Sequence, residues 1–112
     1  MNEKTAKIVS TLILNWRSEA ELEYYLSFIE KTGKEFFDSL SKEGLLSWRI
    51  NRVFNKINAI KTSEVYIYRD QKSFIRGQVI IGKFRKRNES FYKRITFQVD
   101  ANRALVLFEF LK

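Results

Sequence analysis

Residues 62–69, Thr-Ser-Glu-Val-Tyr-Ile-Tyr-Arg, mark the point where the apolar periodicity of the chain changes from helical to alternating. Val65 and Ile67 fall on one face of this segment and its two tyrosines fall on the other, which is the two-residue period of a β-strand. We therefore predict a strand over residues 64–69. The division between a helical first half and an alternating second half leads to the prediction of the fold class.

The first half of the chain has the apolar spacing of helices. Residues 3–16 place their apolar side chains at steps of three and four, although the β-branched residues here also suit a strand, and we prefer a helix. Ser18, three residues before a glutamate, predicts the start of a second helix that Gly33 would end. A short third helical segment follows before Gly44, and a longer helix is predicted over residues 45–60.

The second half predicts strands that follow one another through turns. The predicted strands are residues 64–69, 74–84, 91–99 and 104–111. They are connected by turns at 70–73 and 100–103 and by a polar loop at 86–90. The last strand is apolar on both faces, which indicates a central position or cover by a partner subunit. The fold class is therefore α+β, with an N-terminal helical layer of three to four helices followed by a four-stranded antiparallel meander. The length of 112 residues fits a single domain over 1–112, with a helical part about 3–61 and a sheet part about 64–111.

Histidine and cysteine are both missing from the chain. Their absence rules out disulfides, zinc sites of the usual ligand types, and Ser–His or Cys–His nucleophiles. Any catalysis must therefore depend on carboxylates, Lys, Arg, Tyr or the backbone. No convergent carboxylate set predicts a metal, and no cofactor is predicted.

Positive charge concentrates in the second half of the chain, within a net charge of +8. In the predicted hairpin around residues 83–94, cations alternate with aromatic residues, a pattern that suits phosphates and unpaired bases. The candidate nucleic-acid-binding residues here are Lys83, Arg85, Lys86, Arg87, Tyr92, Lys93 and Arg94. The alternative is a solvated hairpin tip that serves solubility.

A second basic row, Arg49, Arg52 and Lys56, lies opposite the apolar face of the predicted helix 45–60. Arg side chains can contact base edges in the major groove, so this helix is a candidate second contact, and an ordinary solvent-exposed face is the alternative. Residues 34–60 resemble the two-helix core of a winged-helix domain. By that resemblance, residues 64–81 would be the wing.

The stretch 94–112 resembles the tail of RelE/ParE-type toxins, in which a strand with the pattern R-x-x-F-x-V-D leads through a turn to an apolar strand ending in Phe and Lys. That family contains ribosome-dependent mRNA endonucleases that work without a metal. The resemblance implies roles in phosphate clamping and proton transfer for Lys83, Arg85, Tyr92 and Arg94.

We predict a small, basic, non-enzymatic nucleic-acid-binding protein that is intracellular, in the cytoplasm, and does not use a membrane. DNA and RNA stay equal alternatives. The first alternative function is a toxin-like, metal-independent mRNA endonuclease. The second is an interaction module that forms a homo-oligomer through the C-terminal strand.

Overall fold

The computed structural model describes residues 2–112. Strands open and close the chain, and two long helices separate them. The elements are β1 (Ile8–Trp16), α1 (Glu19–Ser41), β2 (Leu45–Arg52), β3 (Lys61–Tyr68), α2 (Gln71–Arg87), α3 (Glu89–Tyr92) and β4 (Phe97–Leu105).

The four strands form one sheet in the order β2-β3-β1-β4, and each neighbouring pair is antiparallel. β1 and β2 are therefore parallel with β3 between them, and β3 and β4 are parallel with β1 between them. Each long helix connects two such parallel strands. Two interleaved β-α-β units of this kind make the ferredoxin-like arrangement.

Both long helices pack on the same face of the sheet, which we call the inner face. In one core cluster, Phe36 and Leu40 from α1 and Phe84 from α2 contact Tyr66 and Tyr68 of β3. A second cluster joins the end of β1 to the start of α1 and to α3. The opposite face, which we call the outer face, carries the alternate residues of each strand.

The prediction of a helix over residues 3–16 is wrong, because residues 8–16 form β1. β1 has neighbours on both sides and apolar residues on both faces. An apolar run that satisfies two faces also fits a helical period, so periodicity alone does not separate the two structures. The β-branched residues were the better signal here.

The predicted start of the next helix is confirmed, because the Ser18 hydroxyl accepts a hydrogen bond from the backbone N–H of Glu21 at 3.2 Å. The predicted end at Gly33 is wrong, since α1 continues to Ser41 without interruption. Gly33 is buried inside the helix, where a Cβ atom would lie 3.4 Å from the ring of Trp48 on β2. The glycine therefore lets α1 approach the sheet and does not end the helix.

The predicted helix over residues 45–60 is also wrong. Its first half is β2, which alternates Trp48 and Ile50 toward the inner face, and its second half is the loop to β3. Phe54 and Ile57 in this loop are 94% and 90% exposed. The helical spacing therefore combined residues from the two faces of a strand with exposed loop residues.

Residues 70–90 form helix α2 and the start of α3, where we predicted a turn, a strand and a loop. Asp70 is the N-cap of α2, and its carboxylate accepts from the backbone N–H of Ser73 at 2.8 Å. Phe74, Gly77 and Phe84 lie on the buried face at helical spacing. The β-branched run between the glycines favoured a strand, and tertiary packing overrode that propensity.

The prediction of a C-terminal hairpin is wrong as well, because residues 97–105 form one continuous edge strand that passes through the predicted turn at 100–103. The class α+β with an antiparallel sheet is confirmed. The arrangement of a helical layer followed by a meander is overturned by strands at both ends and crossing helices between them. The winged-helix core is wrong because residues 45–52 form strand β2 instead of a helix. The strand-turn-strand pattern shared with the toxins is wrong because residues 97–105 form one strand.

Candidate ligand-binding cleft

The helices cover the inner face unevenly and leave β4 open. The register places Val99 beside Leu14 and Ala101 beside Leu12, on the face that carries the helices. Val99 is nevertheless 54% exposed, whereas Leu14 is 4% exposed. The space between β4 and the helices is a cleft of about 260 Å³. Its apolar wall includes Leu12, Leu14, Phe36, Ile81, Phe84 and Phe97.

The carboxylate of Glu64 is buried at this cleft, 2% exposed, on the inner face of β3. Tyr25 donates to its Oε1 at 2.6 Å, and Tyr66 donates to its Oε2 at 2.6 Å. The indole N–H of Trp48 donates to the same Oε2 at 3.2 Å. All three partners are uncharged hydrogen-bond donors, and the carboxylate oxygens accept from each of them.

The two tyrosines that bind Glu64 stay protonated well into the alkaline range. Burial raises the pKa of Tyr25 well above its ordinary value, and the nearby Glu64 charge raises it further. Burial and the same charge raise the pKa of Tyr66 in the same direction. Both phenols therefore remain donors to the carboxylate at physiological pH.

Two arginines bring positive charge to the cleft. The guanidinium of Arg85 on α2 lies over the Tyr92 ring, 4.8 Å from its centroid, and that of Arg103 on β4 lies 5.7 Å from the Phe74 centroid. These distances are within the range of cation–π contacts. Both arginines line the cleft, and within residues 2–112 Glu64 is the one acid that does so.

Tyr68 lies deepest of the cleft tyrosines, with no exposed surface. It packs against α2 at Gly77, where a Cβ atom would lie 2.6 Å from Cε1 of the Tyr68 ring. Its hydroxyl makes no hydrogen bond of regular geometry among residues 2–112, although the charge of Arg103 and a weak hydrogen bond from the Gln78 side chain lower its pKa. Burial outweighs both and raises the pKa of Tyr68 to about 12.

The predicted basic hairpin is the end of α2 together with α3. Lys83, Lys86 and Arg87 are exposed on the last turns of α2, where cations are favoured by the helix dipole. Arg85 and Tyr92, by contrast, form the cation–π pair of the cleft. Lys93 pairs with Glu89 at 3.1 Å, and Arg94 donates to the Tyr24 hydroxyl at 3.4 Å.

The structure separates the second basic row. Arg52 lies on the inner face of β2 and pairs with Glu19 at the start of α1. Arg49 lies on the outer face, opposite Val65, and Lys56 lies in the exposed loop after β2. The three residues therefore share no surface.

Sequence reasoning missed most of the cleft. Glu64, Tyr66 and Tyr68 alternate along one strand and therefore lie on the same face. A carboxylate on the same face as two tyrosines was a signal that could have identified Glu64 as a site residue. Arg103 and Ser10 gave no local signal, because only the register of β1 with β4 brings them together.

Two further features bear on the predicted classes. Within the described residues 2–112, the acidic side chains form no group of three that could share a metal ion. None of the helices in this part of the chain combines the length and apolar character that a membrane-spanning helix needs.

Solved structures with this fold include two dimeric ferredoxin-like proteins, each from an uncultured marine organism. One is 24% identical with a TM-score of 0.88 and covers 94% of this chain and 99% of its own. The other is 27% identical with a TM-score of 0.86 and covers 95% of this chain and 99% of its own. The cofactor-independent oxygenase SnoaB from Streptomyces nogalater is 8% identical with a TM-score of 0.53, covering 95% and 96%.

No curated protein matches the chain. The family described as Domain of unknown function (DUF6974) matches residues 5–106, a span that contains all four strands, both long helices and the cleft residues. The chain, a ferredoxin-like α+β protein, belongs to this family.

Proposed function

We propose that the chain binds a small hydroxylated aromatic molecule in the cleft between β4 and the helices. The observation that carries this proposal is the buried Glu64 carboxylate in an otherwise largely aromatic and aliphatic cleft. Binding sites for small molecules combine apolar walls with a few convergent polar groups in this way. The volume of about 260 Å³ suits a ligand of one or two rings.

A hydroxyl group is the ligand feature that Glu64 selects. A carboxylate offers about four acceptor positions, and the protein fills one on Oε1 and two on Oε2. The open position on Oε1 accepts a hydrogen bond from a phenol or enol of the ligand. An ether at the same place would leave this acceptor without a donor.

SnoaB, which shares this fold, is described as a cofactor-independent oxygenase. Its identity to this chain is low, so the likeness concerns the fold. Binding is the step that the residues of this cleft support.

The test compares 2-naphthol with 2-methoxynaphthalene, followed by ¹⁵N–¹H NMR titration. We expect 2-naphthol to bind at least about tenfold more tightly, the difference that one good hydrogen bond supplies, with shifts at β3 and β4 amides. Glu64→Gln should abolish the difference, and the exposed Glu23→Gln on α1 should retain it. Equal affinities in the wild-type chain, or shifts away from the cleft, would rule the proposal out.

We also propose that the chain forms a homodimer through the outer face of the sheet. Val9, Ile13, Val65 and Ile67 lie on this face, and no helix formed by residues 2–112 packs there. The two similar structures at 24% and 27% identity are both described as dimeric. In this proposal the homo-oligomer that was predicted through the C-terminal strand uses the sheet face as well as the C-terminal segment.

Two exposed apolar groups lie at opposite ends of the sheet. Residues 106–112 follow β4 at one end, and Leu107, Phe108, Phe110 and Leu111 in this tail are 68–92% exposed. Phe54 and Ile57 lie at the other end, in the loop between β2 and β3. A two-fold axis perpendicular to the strands would bring the tail of one protomer against this loop of its partner, twice per dimer.

Cysteine cross-linking tests this arrangement without interference, because the chain has no native cysteine. Ile57→Cys and Leu107→Cys are made as separate variants and mixed. We expect a disulfide-linked dimer in the mixture and little in either variant alone. A monomer in sedimentation velocity, or equal cross-linking of Ile75→Cys on α2 with Leu107→Cys, would contradict the proposed interface.

Nucleic-acid binding by the exposed cations of α2 stays a prediction. The helix dipole accounts for cations at this helix end without a ligand. Replacing Arg85, Lys86 and Arg87 with Ala should reduce the log–log salt dependence of RNA or DNA binding by up to about three units. An unchanged slope would contradict this prediction.

A further inference from the structure

The cleft contains a second group of polar side chains besides those that bind Glu64. Tyr68 from β3, Gln78 from α2 and Arg103 from β4 all line the cleft. Gly77 allows the Tyr68 ring to lie directly against α2, one residue before Gln78. Side chains from β3, α2 and β4 thus line the same cleft.

The Tyr68 hydroxyl is the sharpest indication that a ligand belongs here. The side chain is fully buried, and within residues 2–112 its oxygen makes no hydrogen bond of regular geometry, although the Gln78 side chain lies close enough to donate weakly to it. Buried polar groups in folded proteins are nearly always bonded, to protein, water or ligand. Gln78 can donate to the Tyr68 oxygen, but the proton of the hydroxyl has no acceptor among residues 2–112, so a group bound in the cleft that Tyr68 lines can accept it.

Arg103 supplies the charge that such a group would meet. Its guanidinium is held near the Phe74 ring, and within residues 2–112 it forms no ion pair with an acid. The cleft lining carries two arginines against the single carboxylate of Glu64. The lining therefore has an excess of one positive charge, which a negative charge on the ligand would balance.

We propose that Arg103, Tyr68 and Gln78 form a carboxylate-binding subsite, so that the ligand is a hydroxylated aromatic acid. The guanidinium fork matches both oxygens of a carboxylate, and the phenol and amide add uncharged donors. This inference rests on the proposed function, in which the hydroxyl of the same ligand binds Glu64.

The two ends of the cleft are the right distance apart for such a molecule. Across the sheet, Arg103 of β4 pairs with Ser10 of β1, and Ser10 pairs with Tyr66 of β3. Arg103 therefore lies two strand spacings from β3, opposite Tyr66, which is two residues from Glu64 along that strand. Standard sheet spacing then separates the Cα atoms of Arg103 and Glu64 by about 12 Å. A two-ring acid with its hydroxyl at the far end spans this gap once both side chains extend into the cleft.

The test measures the affinities of 6-hydroxy-2-naphthoate, 6-hydroxy-2-naphthamide and 2-naphthol by NMR titration. We expect the acid to bind at least about tenfold more tightly than the amide, as expected for a charge-assisted fork. Arg103→Gln should reduce this preference to less than about threefold. Tyr68→Phe, which keeps the ring and the packing, should reduce it in part.

Arg76→Gln is the matched control, because Arg76 is exposed on α2 and its partner is Glu43, at 3.7 Å. This variant changes the same charge and should keep the full preference for the acid. Equal binding of acid and amide, or a preference that Arg103→Gln leaves intact, overturns the subsite but not the hydroxyl site. Failure of all three compounds to bind overturns both proposals.

Discussion

The hydroxyl of Tyr25 on α1 donates to Oε1 of Glu64 on β3 across 2.6 Å, and both side chains are buried. The two residues are 39 positions apart in the chain. This hydrogen bond joins the helical layer to the sheet at the cleft, so it contributes both to the core and to the candidate site.

Glu64→Gln should destabilise the fold by about 2–4 kcal/mol, because a buried group would lose its partner. Glutamine has one acceptor oxygen, and its amide nitrogen must then face at least one of the donors from Tyr25, Tyr66 or Trp48. Urea unfolding measures the change in free energy. Glu23→Gln, exposed on α1, should change it by less than about 0.5 kcal/mol, and equal effects of the two substitutions would contradict the role given to Glu64.

Stability should fall as the pH rises above about 10, the ordinary pKa of tyrosine. The pKa values of Tyr25 and Tyr66 are raised in the folded chain by burial and by Glu64. The unfolded chain therefore loses these protons first, and the free energy of unfolding decreases with pH. Each such tyrosine contributes a slope of about 1.4 kcal/mol per pH unit in this window.

Tyr66→Phe isolates this contribution from the lysines that titrate in the same range. Urea unfolding at pH 9, 10 and 11 should give a slope above pH 10 that is shallower than that of the wild type by about 1.4 kcal/mol per pH unit. The same slope in both proteins would show that Tyr66 titrates normally in the folded state.

Gly77→Ala and Gly82→Ala should have opposite effects on stability, although both lie in α2. A Cβ atom at Gly77 would lie 2.6 Å from the buried Tyr68 ring, and we expect a loss of about 1–3 kcal/mol. A Cβ atom at Gly82 meets nothing within 4 Å, so the gain in helix propensity should stabilise the fold by about 0.5–1 kcal/mol. Thermal unfolding of the two variants makes the comparison, and a stabilised Gly77→Ala would mean that the Tyr68 ring is free to move.

Asp70→Ala should destabilise the fold by about 1 kcal/mol through loss of the N-cap of α2. The Asp70 carboxylate accepts from both the backbone N–H and the hydroxyl of Ser73, each at 2.8 Å. Asp70→Asn keeps an acceptor oxygen and should cost little, because Asn and Asp cap helices about equally well. If chemical denaturation shows equal losses for the two variants, charge and not capping is the cause.

Several elements could be predicted because their signals are local. The alternation around Val65 and Ile67 reflects a strand with different faces, and Ser18 caps a helix with the residues that directly follow it. The helical period of residues 74–84 was visible at Phe74, Gly77 and Phe84, but the β-branched run between the glycines masked it. β1 was ambiguous because a central strand with two apolar faces has no distinct period of its own.

By itself, the sequence determined which chemistry is absent, since a chain without His or Cys has no thiolate or imidazole. It also determined the strand around Val65 and Ile67 and the helix cap at Ser18, whose signals lie within a few residues. Only the tertiary structure decided that β1 separates β3 from β4, that Arg103 and Tyr66 lie across Ser10, and that the helices leave β4 open. The physical reason is that strand order and register are set by contacts between distant residues, whose combined burial no local period encodes.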